Sequence, residues 1–329
     1  MSLPSSFPHR RDALGVHSVH AFAFSVPDLD EAARFYTAFG LDVRRRTGAQ
    51  GDRLDLHTFG SEHRWGVLCQ APGPKQLLYV SFGCFAEDLD ALAARADRLG
   101  VPRTTPHPLS VADGSADGLW LLHPDGFPVQ VRVAPKSMPD VAAVGVPDDT
   151  NTLGRGRAPN RSRVAPVRPR RLAHILLFSP DVQRSVEFCE GVLGLRVSDR
   201  SGDLIAFIHG VHGSDHHLIA TAKSPGCGLH HLSWDVASVN EVGLGMGQMQ
   251  AAGHARGWGV GRHVLGSNYF YYVRDPWGSY SEYSYDIDYI AADQDWAMGD
   301  HPPGDSFYLW GPDAPEDFIT NYELKEATP

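Results

Sequence analysis

The sequence predicts an α+β protein made of four β-α-β-β-β modules, paired into two open, barrel-like domains. Three observations carry this expectation. The same strand–turn–helix pattern starts at His20 and again at His174. Each of those halves contains a second strand–helix pair followed by a hairpin. A segment rich in Pro, Gly, Asn and Arg separates the halves. An internal repeat of this kind is stronger evidence of fold than any single motif. With 329 residues, 42% of them hydrophobic and 21% charged, the chain is long and apolar enough for two folded domains.

The elements follow in order. HAFAFSVPDLDEAARFYTAFGLDV begins at His20 and HILLFSPDVQRSVEFCEGVLGLRV at His174. Each reads as an apolar strand, a Pro-Asp turn, a helix and a Gly-Leu strand start. Asp181 is placed to cap its helix, and Val182, Val186, Cys189 and Leu193 share one face. The second pair is LLYVSFGCFAEDLDALAARADRLG in one half and LHHLSWDVASVNEVGLGMGQMQAAG in the other. In the latter, Val239, Val242, Met246 and Met249 form the expected buried stripe, and Gly253 the C-cap. The halves close with the hairpins LWLLHPDGFPVQVRV and FYYVRDPWGSYSEYSY, each across a Pro-x-Gly turn. The expected organisation is a first domain over 1–141, a linker over 142–170, a second domain over 171–290 and an aromatic tail over 291–329. The seven arginines between Ala142 and Arg171 read as a solvated, acid-pairing strip.

Composition excludes several function classes. The net charge of −10 argues against non-specific binding of nucleic acid, which needs a basic field. No run approaches the roughly 18 apolar residues of a membrane span. MSLPSSFPHRRD has no apolar core of a secretion signal, and the four cysteines form no CxxC pair. Reduced thiols and a cytoplasmic location are expected. Seventeen histidines point the search towards metal or acid–base chemistry.

His174 starts its first strand, His231 lies in the first strand of the last module and Glu282 on the last hairpin strand. Each recurs at an equivalent point of the repeat. A single strand histidine is usually structural, and a lone glutamate can be a solvated edge charge. Two imidazoles and a carboxylate at matched positions instead form a facial triad, which leaves half of an octahedral metal open and suits Fe(II) and O2. Zn(II) favours a closed tetrahedral site and Mg(II) more oxygen ligands. The matching positions of the first half are His20, Tyr79 and Gln130. Only one is a good ligand, so that half is expected to serve as scaffold.

The stretch GRHVLGSNYFYYVRDPWGSYSEY, together with the repeat over about residues 16–289, resembles the type I extradiol ring-cleaving dioxygenases of the vicinal oxygen chelate superfamily. The resemblance implies a glyoxalase-like fold, with Fe(II), or Mn(II), held by His174, His231 and Glu282. It implies that His217 assists O2 activation and proton transfer, that His263 hydrogen-bonds substrate and that Tyr272 holds a catechol oxygen. The implied partners are a catechol-type substrate and O2, in a homo-oligomer. Adjacent strand residues face opposite ways, so one of His230 and His231 can point into the barrel. His231 aligns with His174 at the strand start, and His217 shares its parity where His216–His217 poses the same choice. His209, His212 and His254 are read as surface or packing residues. The tail, with Trp296, Phe307, Tyr308, Trp310, Phe318 and Tyr322, reads as outer packing or as a lid. The alternatives are a glyoxalase-like isomerase or lyase, a 4-hydroxyphenylpyruvate-type dioxygenase and a protein that sequesters a small aromatic compound. No spare arginine is placed to pair with a substrate carboxylate, so an uncharged catechol is expected.

Overall fold

The computed structural model describes residues 10, 12–48, 51–141 and 158–324. The first half forms β1 (Ser18–Val26), α1 (Leu29–Phe39), β2 (Asp42–Gly48), β3 (Gly51–His57), β4 (Arg64–Gln70), β5 (Gln76–Cys84), α2 (Leu89–Arg98), α3 (Pro108–Ala112), β6 (Leu119–Leu122) and β7 (Pro128–Val133). The second forms β8 (Arg171–Ser179), α4 (Val182–Gly191), β9 (Arg196–Ser201), β10 (Ile205–His209), β11 (Ser214–Asp215), β12 (Ile219–Lys223), β13 (Gly228–Asp235), α5 (Val239–Ala251), β14 (Gly257–Arg262), β15 (Tyr269–Arg274) and β16 (Tyr280–Tyr285). The tail adds β17 (Tyr289–Ile290), β18 (Gly299–Asp300) and α6 (Pro303–Ser306).

The strands make a seven-stranded sheet in the order β2-β3-β4-β1-β5-β7-β6 and a nine-stranded sheet in the order β14-β15-β16-β13-β8-β12-β10-β9-β18. In each, the first strands of the two modules, β1 with β5 and β8 with β13, pair antiparallel at the centre. Helices start where the Pro-Asp turns place an acceptor. Asp28 takes the amides of Asp30 and Glu31, and Asp181 that of Arg184. At the end of α1, Gly40 has φ +100°, and a Cβ there would lie 2.1 Å from the Val167 carbonyl oxygen. Only glycine allows the connecting chain to run so close.

Three sequence expectations need correction. The second module has two strands after its helices and not three. Pro102, Pro106 and Pro108 remove backbone donors there, leaving a single bridge from Arg103 to Leu121. In α5 the buried stripe runs through Val242, Gly245 and Met249. Val239 opens the helix and is 37% exposed, and Gly245 replaces Met246 because the Tyr283 ring fills the space where a Cβ would sit. The arginine strip is not uniformly solvated. Arg171 is largely buried against Asp215, and Arg170 pairs with Asp235. The segment 142–157 of the expected linker lies outside the described residues.

One apolar core runs through both halves. Phe39 stacks on Tyr283 with centroids 4.0 Å apart, and the Tyr283 hydroxyl donates to the Phe39 carbonyl at 2.7 Å. Lys75 and Asp275 form an ion pair between the halves that is almost completely buried. The Glu323 carboxylate accepts the amides of Leu77 and Leu229, so the tail also ties both sheets together. Removing one partner of a buried ion pair leaves an uncompensated charge. Lys75→Ala is therefore expected to lower the urea-unfolding free energy by about 3–5 kcal/mol, and a loss below about 1 kcal/mol would show that Asp275 finds compensation elsewhere.

Candidate active site

Strand register assembles the site. Ser233 on β13 lies opposite His174 on β8 and opposite Glu282 on β16, and Glu282 in turn lies opposite Tyr272 on β15. Residues opposite one another share a face, so His174, Glu282 and Tyr272 project from one side of the sheet. His231 lies two residues before Ser233 and joins the same face. A one-residue slip of any of these strands would turn its site residue to the other side.

The nitrogen Nε2 of His174 lies 3.2 Å from Nε2 of His231, and the two lie 3.3 and 3.6 Å from Oε2 of Glu282. All three side chains are buried, and they are the only such group of His, Cys, Asp and Glu among the described residues. The second carboxylate oxygen, Oε1, accepts from the Asn268 amide at 3.0 Å. No hydrogen bond reaches buried Oε2. A buried carboxylate oxygen without a donor, facing two imidazole nitrogens, is an arrangement that a divalent cation completes. The donor set thus fits the metal that the resemblance implies.

A second layer orients these groups. His230 Nε2 donates to the Phe318 carbonyl at 2.9 Å, and its Nδ1 lies 2.7 Å from Nδ1 of His231. Burial pulls His230 down to about 4, so it is neutral and its Nδ1 accepts. The shared proton then belongs to His231 Nδ1, which leaves His231 Nε2 as a lone pair. Metal-binding histidines need this tautomer. His263 repeats the logic. Its Nδ1 donates to the Phe307 carbonyl at 2.8 Å, so its Nε2 accepts the Tyr272 hydroxyl at 3.0 Å. Burial holds His217 well below the ordinary histidine value and Tyr272 well above that of tyrosine, with the Glu282 charge adding to the latter. Both are neutral at pH 7.

These groups open onto a cavity of about 280 Å³. His174, His217, His231, His263 and Tyr272 line it, and most of the remaining wall is apolar, including Leu176, Phe207 and Leu265. The tail closes one side with Pro303, Phe307, Phe318 and Ile319. Among the described residues, no arginine lines it. Arg256 and Arg274 pair with Asp317, while Arg262 donates to the Ser267 carbonyl. His216 turns away to Asp199, while His230 borders the cavity and bonds to the tail. His209 and His212 are buried packing residues. Among the lining residues that escaped sequence reasoning are Asn268 and Lys223. Asn268 lies in a Gly-Ser-Asn run that reads as a turn, and Lys223 ends β12 at an exposed position.

The first half has its own counterpart. Gln130 on β7 lies opposite Ser81 on β5, as Glu282 lies opposite Ser233. His20, Tyr79 and Gln130 line a separate polar cavity with Arg64 and Arg132. The Gln130 amide donates to the carbonyls of Ser115 and Asp117, both at 2.7 Å, so it braces a loop.

The family model of the Glyoxalase/Bleomycin resistance protein/Dioxygenase superfamily matches residues 18–131 and 171–283. The chain belongs to this superfamily. Among its members, Metapyrocatechase 2 of Cupriavidus necator is 46% identical over 324 residues, spanning 97% of this chain and 96% of that protein. The Mn(II)-bound glyoxalase of Novosphingobium aromaticivorans is 27% identical, with TM-score 0.69 over 91% of this chain and 92% of the other. An extradiol ring-cleaving dioxygenase of B. fuscum shares the fold, with TM-score 0.71 at 21% identity over 97% and 85% of the two chains. Within the superfamily fold, the cavity here belongs to the second half.

His174→Ala, His231→Ala and Glu282→Ala are each expected to abolish metal retention in a folded protein, as measured by elemental analysis after desalting. His20→Ala should leave metal content unchanged. Losing an outer partner of a ligand typically costs about 10–100-fold in affinity, and this is the expected weakening for Asn268→Ala in a chelator competition. Wild-type affinity in that variant would remove Asn268 from the support of Glu282.

Proposed function

We propose that this protein is an extradiol dioxygenase that opens the ring of a catechol-type substrate with O2, giving a muconic semialdehyde-type product, at an Fe(II) held by His174, His231 and Glu282. One observation carries the reading: an open His-His-Glu set faces an apolar cavity that also presents His217, His263 and Tyr272. The near-full-length likeness to a metapyrocatechase supports it. A sequestering protein has no use for an open metal set, and an isomerase that draws ligands from both halves finds poor ones in Tyr79 and Gln130. Two imidazoles and one carboxylate suit Fe(II), which is preferred here over Mn(II).

The metal, when bound, supplies Lewis acidity towards the catechol oxygens and a redox route between ring and O2. The chain supplies orientation and protons. Tyr272 keeps its hydroxyl proton and can turn it from His263 towards a substrate oxygen at no cost in charge. His263, anchored on Phe307, limits where the tyrosine ring can go. Neutral His217 can hold a proton at Nε2 and return it when the O–O bond breaks. The apolar wall excludes water from reactive species. Lys223 borders the cavity at an exposed position, where solvent screens its charge, and the proposed substrate is an uncharged catechol. The tail is proposed as a lid of fixed contacts, and the assembly as the homo-oligomer implied by the resemblance.

Anaerobic loading with Fe(II), followed by catechol and air, should consume one O2 per ring and produce a yellow product. Catechol binding without O2 uptake would contradict the reading. His217→Phe should retain metal and bind catechol while turning over about 10²–10⁴-fold more slowly. Unchanged kcat at saturating O2 would remove His217 from the chemistry. In competition, 3-methylcatechol or 2,3-dihydroxybiphenyl should show a higher kcat/KM than 3,4-dihydroxyphenylacetate, and the reverse order would mean that a cation reaches the ring substituent.

A further inference from the structure

The polar cavity of the first half has a volume of about 310 Å³. His20, Tyr79 and Gln130, the repeat counterparts of His174, His231 and Glu282, line it. Arg132 lies two residues beyond Gln130 on β7 and shares its face. Arg64, which opens β4, completes the wall with Asp113 and Ser115. Where the second half presents a carboxylate, the first presents an amide and two guanidinium groups.

The carboxylate of Asp113 is fully engaged. Oδ1 accepts the Ser115 amide at 3.0 Å and the Ser115 hydroxyl, and Oδ2 pairs with Arg64 Nη1 at 2.8 Å. Arg132 is not. Its Nη2 pairs at 2.7 Å with Asp117, a side chain 54% exposed, and its buried Nε has no hydrogen-bond partner. Solvent weakens the first contact, and the second leaves a donor unanswered. Burial pulls His20 down to about 3, with His63, Arg132 and Arg64 adding to the fall. His20 is therefore neutral in electropositive surroundings. Burial raises Tyr79 to about 12, so it keeps its hydroxyl proton. The Gln130 amide nitrogen serves the carbonyls of Ser115 and Asp117, which fixes the side-chain orientation and leaves its oxygen as an acceptor.

We propose that this cavity is a binding site for a small organic carboxylate with a neighbouring hydroxyl group. Arg132 takes the carboxylate, the Tyr79 hydroxyl donates to it, and the Gln130 oxygen accepts from the ligand hydroxyl. Two guanidinium groups disfavour a cation, and His174, His231 and Glu282 remain the only metal-holding group among the described residues. An anion without a hydroxyl would leave the Gln130 oxygen with no donor. The two cavities then select opposite ligands, since among the described residues no arginine lines the cavity of the second half. The site stands whether or not that half cleaves a ring.

Isothermal titration of the metal-loaded, full-length protein with salicylate tests this. Salicylate should bind with a Kd below about 10 mM, and more weakly as salt is added. Arg132→Gln should weaken it about tenfold or more, with metal content unchanged. Tyr79→Phe, which keeps the ring packed on Trp120, should weaken it about three- to tenfold. Benzoate, which lacks the hydroxyl, should bind wild type about three- to tenfold more weakly than salicylate. His174→Ala removes a metal ligand of the other half and should leave salicylate affinity within about twofold. No binding below about 10 mM would overturn the proposal. So would an affinity unchanged by both Arg132→Gln and Tyr79→Phe, or one lost in His174→Ala, which would place salicylate on the metal. Equal binding of benzoate would remove the hydroxyl from the ligand class.

Discussion

A carboxylate buried without a donor is the constraint on which the rest of this site depends. Glu282 is fully buried, and its Oε2 faces the imidazoles of His174 and His231 without a hydrogen-bond donor. Taking such a group out of water costs several kcal/mol unless a cation answers it. The sheet tolerates the arrangement because Asn268 satisfies Oε1 and because Ser233 sets His174 and Glu282 abreast on neighbouring strands. Nearby, His230 fixes the tautomer of His231 and leaves its Nε2 bare, while buried Nδ1 of His174 has no hydrogen-bond partner. The tail contributes directly, since the carbonyls of Phe318 and Phe307 fix His230 and His263. A segment that could be taken for external padding thus sets the protonation pattern of the cavity.

The two halves show how one fold supports a site or withholds it. The same ladder positions carry Glu282 in one sheet and Gln130 in the other. The amide of Gln130 has donors to place, and it places them on Ser115 and Asp117. With Tyr79 where His231 would be, the first sheet has one imidazole at its centre and no carboxylate opposite. Its contribution to the metal site is mechanical. Phe39 stacks on Tyr283, and Lys75 answers Asp275, so the second sheet is held from outside its own sequence.

Much of this was legible in the amino-acid sequence, because the repeat reveals itself through matched positions. Equivalent strands in two modules made His174 and Glu282 stand out, and alignment with His174 at the strand start favoured His231 over His230. That no described arginine lines the cavity was also foreseeable, whereas Lys223 at its wall was not. What stayed hidden depends on tertiary docking. Asn268 looks like a turn residue until β15 is paired with β16. Asp199 reads as an ordinary polar residue of a strand, and only the return of the tail brings Trp296, Gly299 and His301 around it. Backbone carbonyls leave no trace in side-chain chemistry at all. The missing strand of the second module was obscured because the three prolines that prevent pairing also look like an ordinary loop.

The central claim is that strand register gathers His174, His231 and Glu282 around one metal ion. Crystals of the metal-loaded protein measured at the iron absorption edge test it most directly. The account predicts a single strong anomalous peak within bonding distance of His174 Nε2, His231 Nε2 and Glu282 Oε2, about 2.0–2.2 Å from each. A peak elsewhere in the molecule, or one missing any of the three contacts, would contradict it.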